Sequence, residues 1–171
     1  MNNLKQNSAA GFQKTAALSL VSITLAGIIT SAHHLYRLGF EVLIPALVIV
    51  FVPYLLMRWY RRSGSKLALW FYGVLNVLVI SWFGVIDGFA DHVVKAFGRY
   101  ILTPLTGESV KIGSMILPPY EGDFFYEITG ILTFIASAFA TYYGIKMIRG
   151  RRQMTTSQQG LVAKIAATRN D

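Results

Sequence analysis

Apolar residues gather in four stretches of this chain, separated by polar or charged breaks. Thr15 to Ala32 carries no charged residue and runs on into His33, His34 and Tyr36. Val42 to Met57 is entered through Gly39 and Phe40 and left through Trp59 and Tyr60. Leu67 to Ile86 is again uncharged, and its helical spacing continues through Asp87, Asp91 and Lys95. The last stretch is Ile128 to Ile145. A bilayer core takes roughly 20 mostly apolar residues as helix. The pattern therefore predicts an all-α integral membrane protein, a four-transmembrane-helix bundle with spans at about 15–36, 39–60, 66–97 and 126–148. The spans form a membrane domain at 15–149, preceded by a tail at 1–14 and followed by a basic tail at 150–171. A polar connection at about 99–125, with Pro104, Pro118 and Pro119, joins the third span to the fourth. Beyond Met154 the sequence suits a short basic surface helix or a disordered end equally.

Counting about 100° per residue separates the faces of these helices. On the first span Ser22, Ala26, Thr30, His33 and Arg37 share a sector of roughly 80°, with His34 on its shoulder. On the third, Gly73, Asn76, Gly84, Asp87, Gly88, Asp91 and Lys95 fall within about 120°, and Trp82 points away. His92 lies on the shoulder of that face, about 100° from Asp91. Ala136, Ala140 and Gly144 form a small-residue seam on the fourth span, with Glu127 in its first turn. Pro53 is expected to kink the second.

Composition sharpens this reading. Of 171 residues, 54% are hydrophobic and 14% charged, too few charges for an ordinary water-soluble domain. The chain has no cysteine, which removes disulfides, zinc–thiolate sites, iron–sulfur clusters and thiol nucleophiles. Gly-x-Ser-x-Gly, Walker and Rossmann fingerprints are lacking too. The net charge of +8 would suggest nucleic acid if the basic residues were spread evenly. Instead, all but Arg37, Lys95, Arg99 and Lys111 fall on one side of the predicted membrane, opposed only by Asp171. The other side collects Glu41, Asp87, Asp91, Glu108, Glu121, Asp123 and Glu127. By the positive-inside rule both termini are cytoplasmic, and the chain is a multi-pass protein of the bacterial inner membrane. Its partner is then the lipid bilayer and not nucleic acid. A cleavable signal peptide ending at Thr30-Ser31-Ala32 is the rival reading of the first span, for which the charged lead is long.

All three histidines and the four span-associated acids thus lie toward the periplasmic leaflet. A carboxylate at mid-membrane costs about 2.5–3.5 kcal/mol on insertion scales, so Asp87, the deepest, needs a partner. One reading is a divalent-metal site at His33, His34, Asp87, Asp91, His92 and Glu127. Imidazole with carboxylate suits zinc, manganese or iron, and zinc with an open position would activate water against a lipid-linked or periplasmic substrate. A second is a structural or accessory subunit, with Arg37 and Lys95 as ion-pair partners of the aspartates. A third is haem held between a first-span histidine and His92 for electron transfer. A fourth is an ion or proton pathway through Asp87 and His33, which four short helices would form only as a homo-oligomer or within a larger membrane complex. None of these patterns names a reaction.

Three segments also carry a resemblance. Ala32-His33-His34-Leu35-Tyr36, Asp87 to Lys95, and Leu117-Pro118-Pro119 followed by Asp123 to Gly130 are similar to a group of small, uncharacterised bacterial inner-membrane proteins. That group shows His-His-x-Tyr, acidic-Gly-x-x-Asn-His-x-x-Lys and Pro-Pro…Asp-x-Phe-Phe-Glu-x-Thr-Gly segments. Asp87 stands where the group carries glutamate and Asp91 where it carries asparagine. The resemblance implies the same topology and draws attention to the same residues, and it implies no particular activity. The aromatic run Phe124-Phe125-Tyr126 is expected to anchor the outer loop at the membrane boundary.

Overall fold

The structure is a computed structural model that describes residues 2–106 and 124–168. Nearly all of these are helical, and no strand occurs among them. Helix α1 (Asn2–Leu38) stops at Gly39, whose φ of +77° lies in the left-handed region that ends helices. One 3-10 turn (Gly39–Val42) leads into α2 (Leu43–Ser63). Gly64 closes α2 at φ +64°, donating its N–H to the Tyr60 carbonyl at 2.8 Å. Ser65 then caps the next helix by accepting from the Ala68 N–H at 3.3 Å. That helix, α3 (Lys66–Thr106), changes its hydrogen bonding along its length. Lys66–Val79 is regular α-helix, Ile80–Val93 is π-helical, and after the α turn Val94–Phe97 a second π segment spans Gly98–Leu102. Finally α4 runs unbroken from Phe124 to Thr168.

Three stretches are long and apolar enough to cross a membrane: Ala10–Ser63, Lys66–Thr106 and Phe124–Arg151. The first of them folds back on itself at the 3-10 turn. Across that hairpin the Ser31 hydroxyl donates to the Ala46 carbonyl at 3.4 Å, and Phe12 meets the ring of Tyr60. Helix α4 lies antiparallel to α1, with Thr129 beside His33 at one end and Gly150 beside Phe12 at the other. Helix α3 runs parallel to α1, Tyr72 bonding Ser19 at 2.9 Å and Asp87 facing His33.

Burial is inverted relative to a water-soluble protein. Val21, Ile44, Phe51, Trp70, Leu78, Trp82 and Phe139 are exposed, whereas Ser19, Thr30, His33, Asn76, Asp87, Asp91, His92 and Thr133 are buried. One half of the interior is nonetheless apolar, built from Ala16, Ile23, Met57, Leu69, Tyr72, Val79, Ala140 and Met147.

Several boundaries differ from the sequence expectation. Helix α1 takes in most of the segment expected as an N-terminal tail, and α4 continues through the C-terminal segment as far as Thr168. Few residues there oppose helix, and each extension only prolongs a nucleus that already exists. The expected connection at 99–125 is helical as far as Thr106. Glu108, Lys111, Pro118, Pro119, Glu121 and Asp123 lie outside the described residues. Of the predicted seam, Ala136 and Ala140 are buried, but Gly144 faces open space, and the longer Met147 takes over the contact.

Candidate metal centre

Counting at α-helical spacing leaves Asp87 and His92 roughly 140° apart, on different faces. The π-helical segment changes that. With hydrogen bonds from i to i+5 each residue advances roughly 82°, and the two side chains come within about 50° of each other. Asp87, Asp91 and His92 accordingly all point inward, each less than 5% exposed. His92, expected on the shoulder of the aspartate face and about 100° from Asp91, is instead fully buried beside Asp87.

His33 reaches the same point from α1. Its Nε2 lies 3.8 Å from Asp87 Oδ2, and the Nε2 of His92 lies 4.0 Å from Asp87 Oδ1. Ligand atoms of His33, Asp87 and His92 all fall within 4.8 Å of one another, and all three residues are buried. Tetrahedral ligands about 2.1 Å from one ion stand roughly 3.4 Å apart. The two shorter separations therefore need to close by about half an ångström.

The outer hydrogen bonds decide which ring nitrogens face inward. Thr129 Oγ1 lies 2.7 Å from the Phe125 carbonyl and donates its one proton there. Toward His33 Nδ1, at 2.9 Å, it can then only accept, which places the His33 proton on Nδ1. On the other side, Glu127 Oε2 accepts from His92 Nδ1 at 3.0 Å while its Oε1 takes the Lys95 ammonium. Both histidines thus present a bare Nε2 lone pair toward Asp87. His33 Nε2, His92 Nε2 and Asp87 Oδ2 are buried with no hydrogen-bond partner among the described residues. Each such atom left unsatisfied costs about 1–3 kcal/mol.

Glycines and one tyrosine shape the surroundings. A side chain at Gly130 would collide with the His92 ring, so glycine on α4 makes the space that ring occupies. A Cβ at Gly88 would stand 2.9 Å from the Phe134 nitrogen and 3.0 Å from the Gly130 oxygen, so α3 and α4 meet backbone to backbone. Tyr126 is stacked on His33 with ring centres 4.1 Å apart and set edge-on to His92, and Arg37 donates to its hydroxyl.

Other expected site residues stand apart from the triad. His34 is half-buried, bonded to the Thr30 carbonyl at 2.9 Å on its own helix, with its ring against Phe83. Asp91 is buried one turn from Asp87 but outside the triad, and Glu127 reaches the site through His92. The pairing expected for Lys95 shifts from the aspartates to Glu127. Sequence reading missed Tyr126, Thr129 and Gly130 as parts of the site. The signal was there: Tyr126, Thr129, Thr133 and Ser137 repeat at three- and four-residue steps along α4, a polar stripe inside an apolar span. Compared with known proteins, the chain matches no family model, no curated protein and no solved structure.

Proposed function

We propose that this chain is an integral membrane protein of four crossings that holds a divalent metal ion at His33, Asp87 and His92. The observation that carries the reading is the convergence of two buried, unpartnered Nε2 atoms with an unpartnered carboxylate oxygen inside the protein. Three electron-rich groups facing one another repel unless a cation stands among them. A metal-ligating histidine typically donates its other nitrogen to a carboxylate or hydroxyl, the role Glu127 and Thr129 fill here. Two imidazoles and one carboxylate fit zinc, manganese or iron(II). They leave a fourth position for water or an exchangeable ligand, the condition for metal-assisted chemistry.

The membrane reading rests on the exposed apolar side chains and on the hairpin within the first apolar stretch, which makes it two crossings. The distribution of basic residues supports termini in the cytoplasm of a bacterial cell and a metal site toward the periplasm. The three segments that carry the resemblance to small inner-membrane proteins supply all three ligands and both supporting residues. Haem is disfavoured: Asp87 offers one oxygen to each Nε2, and the plane of a haem between the histidines would pass through that carboxylate. A second reading, in which His92, Glu127 and Lys95 merely register α3 against α4, is supported by their chain of contacts.

Elemental analysis of detergent-purified chain separates the two. The metal site predicts about one ion per chain, lost in His33→Ala and His92→Ala, and a colourless preparation if that ion is zinc. Metal-free protein from metal-supplemented cells, with helicity intact, overturns it and leaves registration.

A further inference from the structure

Among the described residues, the opposite end of the molecule carries positive charge with no carboxylate beside it. Arg58, Arg61 and Arg62 lie in the last turns of α2, whose 21 residues put about 30 Å between them and Glu41. Among the described residues the carboxylates are Glu41, Asp87, Asp91 and Glu127, all at the histidine end. The only side-chain partner of these three arginines there is the Tyr54 hydroxyl, 3.3 Å from Arg58.

Two clefts adjoin at these arginines. One, of about 260 Å³, is lined by Leu20, Tyr54, Met57, Arg58, Arg61 and Arg62. The other, of about 440 Å³, lies over Phe12, Gln13, Ala16, Tyr60, Arg61 and Gly64. Arg61 is common to both, and Arg151 of α4 stands 5.5 Å over the ring of Tyr60, which lines the second. Guanidinium groups are planar forks that match phosphate oxygens in pairs. The cleft walls are apolar at Leu20, Met57 and Phe12, and the neighbouring outer faces expose Val21, Leu55 and Trp59.

We propose that the arginine clefts bind the phosphate of an anionic phospholipid headgroup, with the acyl chains lying along the outer faces of α1 and α2. This inference rests on the membrane reading above but not on the metal. A free phosphate would use the arginines and leave the apolar walls without a role, whereas a phospholipid uses both. A basic pocket between helices at the cytoplasmic face is the expected seat for such a headgroup.

The test is native mass spectrometry of the detergent-purified full chain, titrated with phosphatidylglycerol, phosphatidylcholine or inorganic phosphate. Phosphatidylglycerol should be retained over phosphatidylcholine, and Arg61→Gln should weaken retention about fivefold, with the triple Arg58/Arg61/Arg62→Gln variant losing it. Arg99→Gln, a charge change at the far end, should leave it unaltered, and circular dichroism checks that each variant is folded. Equal retention of the two lipids, or wild-type retention by folded Arg61→Gln, overturns the proposal. Displacement by inorganic phosphate overturns it in favour of a soluble anion. Recovery of the chain from the soluble fraction of cells would instead sink the membrane reading itself.

Discussion

Around Met57 and Leu69 the helices meet through apolar side chains, and around Asp87 they meet through imidazole, carboxylate and hydroxyl. In the proposed membrane setting neither half gains much from hiding apolar surface, because lipid tails are as apolar as leucine. The apolar half is held by close contact: Met57 and Ala140 are fully buried, Ser19 bonds Tyr72, and Asn76 donates to the Tyr72 carbonyl. The polar half is held by directed bonds from His33 to Thr129 and from His92 to Glu127, and it ends with inward-facing atoms that nothing among the described residues satisfies. One half leaves Asn76 Oδ1 unpartnered, whereas the other gathers three unpartnered atoms at one point, the arrangement on which the proposed metal site rests.

The comparison breaks first at the ligands. Removing both His33 and His92 as alanines should abolish metal binding, read as loss of the ion in elemental analysis, while the helical circular dichroism persists. Next, Gly130→Ala pushes a methyl into the His92 ring. We expect about 1–3 kcal/mol of destabilisation and a metal content well below one per chain. Glu127→Gln keeps size and removes charge, and metal affinity measured by competition with a chelator should fall about 10–100-fold. Thr129→Val removes only the acceptor that sets the His33 proton, for an expected loss near the lower end of that range, about tenfold. The smallest effect on the metal should come from Met57→Ala. It opens a cavity in the apolar half and lowers thermal stability by about 2 kcal/mol while leaving chelator competition unchanged. If Met57→Ala strips the ion, the two halves are not independent.

Much of the fold was legible because membrane helices obey a length rule and a face rule. The buried Ala26-Thr30-His33 stripe on α1 followed from spacing at about 100° per residue, and Asp87 is buried and Trp82 exposed as that spacing led one to expect. The same spacing misplaced His92, because nothing in the local composition of 80–93 announces π-helical hydrogen bonding. Its setting is tertiary: Gly88 meets the α4 backbone, Gly84 meets the Ser137 side chain, and the His92 ring fills the gap at Gly130. Lys95 was assigned to the aspartates on charge alone, whereas its actual partner depends on how α4 enters the structure beside it. Tyr126 and Thr129 escaped notice since each is unremarkable by type and acquires its role only through His33.

The wide segment of α3 has one more consequence. Rewinding Ile80–Val93 to ordinary α geometry would swing His92 about 90° away from Asp87. If the proposed ion binds, grip on it and pitch of the backbone are therefore a single coordinate. Filling the site should slow amide exchange along this segment, and emptying it should let the helix relax toward its tighter coil.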